Sequence, residues 1–204
     1  MNNLTTFYIV RHGQSQANVD RLVGGHYDTP LTRQGEKEAK KIANDLKDIN
    51  FDTIFSSDLI RAKRTAEIIA LERKLAVETV EALREQHYGK WEGTSQDDLF
   101  KLFNSWLNLS HNERLKKRSA ENAENDEEVI SRFITFLHEA SIAHKGQTLL
   151  IVCHGGIMHS FLIHLGIASY KTMKYMENTA LIIVKSNGIE FNVLSMKGVH
   201  IENN

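Results

Sequence analysis

Residues 5–18 read TTFYIVRHGQSQAN, an apolar run that stops at an arginine, a histidine and a glycine. Three further polar segments follow apolar runs or lie between elements: SSDLIRAKRT from Ser56, LREQHYGKWEG from Leu83 and CHGG from Cys153. Arg11 and Arg61 each offer a planar fork of donors that matches phosphate oxygens. Gly13, Gly155 and Gly156 let backbone N–H groups approach an anion, and a helix starting near Gly156 adds its positive end. A histidine beside guanidinium groups stays neutral, so a free ring nitrogen of His12 can attack phosphorus. Arg11, Arg61 and His154 then face the charge on the equatorial oxygens. Glu85 is the best carboxylic acid for the leaving oxygen, because bound phosphate disfavours ionisation of a neighbouring carboxyl.

Such groups converge only if the chain places them at one sheet edge. Short apolar runs at Phe7–Val10, Thr53–Phe55, Thr148–Cys153, Ala180–Val184 and Ile189–Leu194 read as strands. Ala39, Ile42, Ala43, Leu46 and Ile49 repeat at helical spacing, with Thr32 as the cap. Further helices fit Leu59–Arg73 and Glu127–Ala143. The alternation predicts an α/β three-layer sandwich with a mainly parallel central sheet and helices on both faces. The turn Ser186–Asn187–Gly188 between the last two runs predicts a hairpin, hence one antiparallel edge strand. In such a sheet, ligands sit beyond the carboxyl ends of the strands, where the polar segments fall.

The 204 residues, 41% of them hydrophobic, fit a single domain over 1–204 with a small lid-like insertion at about 95–126. Residues 104–128, with NERLKKRSAENAENDEE at their centre, are charged and poor in large apolar groups after Leu109, and read as the least ordered part. Lys and Arg total 25 against 26 Asp and Glu, so a net charge of -1 gives no reason to expect nucleic-acid or membrane binding. No run approaches the ~20 apolar residues of a membrane span. The single Cys153 and a start without a basic leader predict a cytoplasmic protein, as a monomer or homodimer.

The segments VRHGQS, SSDLIRAKRTAE, LREQHYGKWEG and VCHGG, in this order, resemble the histidine phosphatase superfamily, which includes cofactor-dependent phosphoglycerate mutases. The resemblance spans nearly the whole chain. It implies an α/β fold with a phosphate pocket in which Arg11, Arg61, His154 and Gly155 meet substrate, His12 is phosphorylated and Glu85 donates a proton. Asn18, matching the RHG.S..N pattern, becomes a further phosphate contact. WEG at Trp91–Gly93 looks like the phosphatase branch. NAENDEEVISRF stands where many phosphatase relatives carry Gly-Glu-Ser, so the lid cannot be carried over residue by residue.

Each residue also has a plainer reading. His12 alone is more often a hydrogen-bonded structural histidine, Arg61 a helix-surface partner of Asp58 or Glu67, and His154 a ring bonded to a carbonyl. Trp91 and Tyr88 simply pack the loop carrying Glu85, RLKKR is a solvated face, and His159 and His164 are structural or exposed. Cys153 alternates away from His154 into the core. The ten histidines show no compact ligand set, so neither metal nor other cofactor is expected. Three functions follow: a phosphatase acting on small phosphorylated metabolites, a mutase returning the phosphoryl group to a bound intermediate, and a silent phosphate-binding or interaction module. The first is favoured, since binding alone needs no proton donor and a short polar lid offers little to exclude water.

Overall fold

The computed structural model describes residues 4–71 and 73–202. Its strands are β1 (Thr5–Arg11), β2 (Thr53–Ser56), β3 (Val77–Thr79), β4 (Thr148–Cys153), β5 (Met173–Ser186) and β6 (Phe191–Ile201). Its helices are α1 (Gln16–Val19), α2 (Arg33–Asp45), α3 (Ile60–Ala70), α4 (Gln96–Ser105), α5 (His111–Lys116), α6 (Asp126–Ala143) and α7 (Gly155–His164), with 3-10 turns at Glu81–Leu83 and Gly89–Trp91. The strands form one sheet in the order β3-β2-β4-β1-β5-β6. β1, β2, β3 and β4 run parallel, while β5 is antiparallel to β1 and β6 to β5, so the hairpin closes one edge.

Pleating sends alternate side chains to opposite faces. Phe7 and Ile9 of β1 with Leu149 and Ile151 of β4 meet Phe133 and Leu137 of α6 and Phe161 of α7. Val10, Leu150 and Val152 face the other way, onto Ile42 of α2 and Ala62, Ala66 and Ile69 of α3. A strand buried on both faces has to be apolar throughout, which is why β4 reads as an unbroken run. Truncating a residue such as Leu149 to Ala should cost about 2–5 kcal/mol. Cys153 lies in the first of these cores, and burial pushes its thiol up, as befits a small apolar packing residue. No helix among the described residues is long and apolar enough to cross a membrane.

Thr32 caps α2 as expected, its hydroxyl accepting from the Gly35 N–H at 3.0 Å. The hairpin tip is held by Asn187 Oδ1, which accepts from the N–H of Ile189 and Glu190, so β6 begins at Phe191 rather than Ile189. Three features differ more. β3 is a three-residue strand with no period to detect. β5 starts at Met173, seven residues before its apolar run, because its first part is mostly exposed and polar.

The third difference is residues 104–128, which are folded rather than loose. Asn125 Oδ1 accepts from the Glu128 N–H at 2.9 Å and Glu128 returns the bond, so the acidic run is the capped start of α6, with Asp126, Glu127 and Glu128 facing the helix dipole. Arg114 from the basic run is buried, its guanidinium 4.7 Å from the rings of Phe103, Trp106 and Tyr170 and 4.0 Å from Asp126. Asp126 also accepts from the Tyr170 hydroxyl at 2.7 Å and from Gln86 Nε2 at 3.2 Å. A charge so enclosed by rings and a carboxylate stabilises the segment that composition makes look solvated.

Candidate active site

The site lies beyond the carboxyl ends of β1 and β4. Arg11 pairs in register with Cys153, and the His12 N–H donates to the Cys153 carbonyl at 3.0 Å, so His12 and His154 leave adjacent strand ends together. Their rings stand edge to face with centroids 5.1 Å apart. Gly13 ends the strand for a steric reason. A Cβ there would lie 2.5 Å from the Gly35 carbonyl oxygen, and one on Gly35 would lie 2.0 Å from that of Gln14. The two backbones touch, which turns the chain away behind His12. The Gly13 N–H donates to Thr65 Oγ1 at 3.1 Å, so it serves the α3 contact rather than an anion.

His12 Nδ1 is 2.7 Å from the Gly13 carbonyl oxygen. A carbonyl only accepts, so Nδ1 carries the hydrogen and the neutral ring keeps its lone pair on Nε2. Burial first, then the Arg61 and Arg11 guanidinium groups, hold His12 well below the usual histidine range. Burial and Arg61 do the same to His154. Neutral imidazoles beside two fixed cations are the result.

Both cations are held from behind by carbonyls. Arg61 is 2% exposed, with Nη2 donating to the Gly25 carbonyl at 2.7 Å and Nη1 to that of Tyr27 at 3.2 Å. Arg11 Nη1 donates to the Met176 carbonyl, and a Cβ on Gly155 would sit 3.1 Å from Arg11 Nε. Asp58 and Glu67, the plainer partners for Arg61, bind Arg84 and Arg64 instead. Arg11 Nε and both ring nitrogens of His154 are buried with no hydrogen-bond partner among the described residues. Orphaned polar groups of this kind cost about 1–3 kcal/mol each, a cost that an anion with several acceptor oxygens would offset.

Glu85 occupies the first turn of α7, accepting from the Gly156 N–H at 2.9 Å and the Ile157 N–H at 3.0 Å. The positive helix end is thus directed at this carboxylate, not left open for an outside anion. Asn18 Oδ1 accepts from the Ser15 N–H at 3.0 Å and from Asn178 Nδ2 at 3.2 Å, which fixes the amide orientation and turns Asn18 Nδ2 outward as a donor.

Arg11, His12, Asn18, Arg61 and Glu85 line one cavity of about 120 Å³. His154 and Gly155 do not line it, but flank His12 and Arg11 respectively. Sequence reasoning missed two contributors. Tyr88 reaches the cavity with a hydroxyl that burial and Glu85 push well above the usual tyrosine range. Leu99, Phe100 and Phe103 of α4 make an apolar wall, which the helical spacing in DDLFKLF would have revealed. Among the described residues no three His, Cys, Asp or Glu side chains are grouped to hold a metal ion. The arrangement can seat one tetrahedral dianion between two guanidinium groups, with a nitrogen lone pair on one side and a carboxyl group beside it.

The histidine phosphatase superfamily (branch 1) model matches residues 7–198. Over 162 residues the chain is 31% identical to the adenosylcobalamin/alpha-ribazole phosphatase of Escherichia coli (strain K12), covering 78% of this chain and 77% of that protein. It is 34% identical over 148 residues to the probable phosphoglycerate mutase GpmB of Escherichia coli O1:K1 / APEC, covering 72% and 68%. The solved structure of Bacillus stearothermophilus YhfR superposes with a TM-score of 0.81 at 29% identity, over 95% of this chain and 96% of that one.

Proposed function

The chain belongs to the histidine phosphatase superfamily, and from that premise we propose that it is a phosphatase, a single catalytic domain that hydrolyses small phosphorylated metabolites through a phosphohistidine intermediate. His12 Nε2 attacks phosphorus in line while the P–O bond to the leaving group breaks, and Glu85 gives its proton to the departing oxygen. The Nδ1–H bond to the Gly13 carbonyl steadies the cationic ring that forms. Glu85, now a carboxylate accepting from the first turn of α7, takes a proton from water. That water attacks phosphorus, the P–N bond breaks, and the lone pair returns to Nε2. Arg11, Arg61 and His154, joined by Asn18 Nδ2 and the Gly155 backbone, stabilise the equatorial oxygens in both steps without a metal ion. A lone buried Cys153 fits action in the cytoplasm, and a net charge of -1 fits a protein with neither nucleic acid nor membrane as partner, which we take to act as a monomer or homodimer.

One observation carries the choice of hydrolysis over mutation. Arg11 and Arg61 are the only arginine or lysine side chains among the residues lining the cavity, and both are spent on the phosphoryl group beside His12. A mutase must retain a bisphosphate, whose second anion needs cations of its own. Apart from His12, Glu85 and Tyr88, the rest of the lining is Leu99, Phe100, Phe103, Val23 and small or neutral polar residues. This replaces the expectation of a polar, unsealed lid, since the wall at the cavity is apolar and only its charge content speaks against a second phosphate. Glu85 at the same cavity argues against a silent binding module. Phosphorus NMR of 3-phosphoglycerate with a trace of its bisphosphate tests the choice: inorganic phosphate should accumulate first, and 2-phosphoglycerate outpacing it would make this a mutase.

A further inference from the structure

The sheet positions His12 and His154, but Arg61 and Glu85 depend on two loops far apart in sequence. Residues 24–28 supply the carbonyls that hold the Arg61 guanidinium, and residues 84–93 carry Glu85 and Tyr88. They meet at one carboxylate oxygen. Glu92 Oε1 accepts from the His26 N–H at 2.9 Å and from the Tyr88 N–H at 3.0 Å, with the side chain only 15% exposed. The approach is so close that a Cβ on Gly25 would lie 2.3 Å from Oε1, and Gly25 has φ +51, so glycine is required there twice over. His26 completes the joint, with ring Nε2 donating to the Glu85 carbonyl at 3.0 Å.

We infer that Glu92 is a positioning residue, one acceptor oxygen that pins residues 24–28 and thereby sets the Arg61 guanidinium for phosphoryl binding. The inference rests on the reading of Arg61 under the proposed function. Its effect falls mainly on residues 24–28, because the Glu85 loop has a buttress of three further bonds. Arg132 donates to the carbonyls of Ala82 at 2.7 Å, Arg84 at 2.8 Å and Glu85 at 3.1 Å. Without Glu92 the acid stays in place, while residues 25–27 lose their backbone anchor and keep the His26 ring bond to the Glu85 carbonyl and, beyond them, the Asp28 carboxylate on the Ile60 N–H. The two groups that donate to this oxygen are neutral amides, while its charge reaches His87 Nε2 at 3.8 Å and Arg61 only through space, so we assign the hold on the loop to where the oxygen sits.

Glu92→Gln keeps an acceptor at the same reach without charge, and Glu92→Asp keeps the charge but withdraws the oxygen. Inorganic phosphate affinity is measured as competitive inhibition and by calorimetry, alongside the rate ratio for an activated aryl and an unactivated alkyl phosphate, with Arg61→Ala for reference. The inference expects Glu92→Gln within about threefold of wild type and Glu92→Asp weakened roughly tenfold for phosphate, with the leaving-group ratio unchanged in both. A loss in Glu92→Gln equal to or larger than that in Glu92→Asp overturns it, as does wild-type phosphate affinity in Glu92→Asp when Arg61→Ala has lost it. If Arg61→Ala itself binds phosphate normally, the reading of the pocket fails and this inference falls with it.

Discussion

The His12 ring stands at 61° to that of His154, 5.1 Å between centroids, and while His12 Nδ1 is bonded to a carbonyl both nitrogens of His154 are buried without partners among the described residues. One imidazole has a defined tautomer and a directed lone pair, and the other has unmet hydrogen-bonding capacity. That difference is why we assign the attack to His12. His12→Ala should therefore lower kcat by roughly 10⁴-fold or more, as loss of a nucleophile does elsewhere. Wild-type enzyme rapidly quenched in acid after mixing with labelled substrate should carry a labelled phosphoryl group that is released on continued acid treatment, and the variant should carry none. A variant of unchanged kinetics would end the phosphohistidine mechanism.

Stability should fall on mild acidification. His12 and His154 are held well below the ordinary histidine value, and burial lowers His159 to about 4. In the unfolded chain each titrates near ~6.5, so below that pH the unfolded state binds protons that the folded state refuses. Their contribution is complete above pH 6.5 and is lost as the pH drops towards the folded values, at up to about 1.4 kcal/mol per pH unit for each ring. Urea unfolding at pH 7.5, 6 and 5 checks this. His159→Gln should flatten the profile, and a profile as steep as wild type would show that His159 gains its proton without resistance.

Arg61 and Arg64 sit three residues apart on α3 and should behave differently. Arg61 is enclosed by carbonyls at the cavity, whereas Arg64 is half-exposed and paired with Glu36 at 3.2 Å. Losing a preorganised donor costs about 3 kcal/mol in the transition state, so Arg61→Ala should cut kcat/KM by about 10²-fold. An exposed pair contributes about 0–1 kcal/mol to stability, and Arg64→Ala should leave kcat/KM near wild type. Activity should also survive excess chelator, because the arginines supply the positive charge. Equal effects of the two substitutions, or loss in chelator restored by a divalent ion, would reject the assignment.

What was legible in the sequence is what local chemistry writes into short windows. Thr32 announces the start of α2, the unbroken TLLIVC announces a strand buried on both faces, and three of the four polar segments supply residues that line one cavity, the fourth standing behind it with His154 against His12. Non-local packing was not legible. Arg114 in a basic run looks solvated until Phe103, Trp106 and Tyr170 close on it from two other parts of the chain. Gly13 and Gly156 look like anion-binding glycines in the sequence, yet their N–H groups go to Thr65 and Glu85. Their small size serves close contacts with Gly35 and Glu85, which no window shows.

Gly156 gives the sharpest test of Glu85. General acid catalysis contributes about 10²–10⁴ in rate, and the contribution grows as the leaving group becomes more basic. Glu85→Gln should therefore slow alkyl phosphates by that factor and an activated aryl phosphate only slightly. Gly156→Ala leaves the carboxyl group in the protein but places a Cβ 2.5 Å from Glu85 Oε1 and 2.9 Å from the Tyr88 hydroxyl. No carboxylate tolerates that separation, so the end of the Glu85 side chain must shift from its place at the first turn of α7 and the acid is displaced without being removed. Gly156→Ala should reproduce the leaving-group pattern of Glu85→Gln with phosphate affinity largely retained, because Arg11 and Arg61 are held by other contacts. If Gly156→Ala slows both esters equally, or neither, the position of Glu85 at the helix terminus is not what supplies the proton.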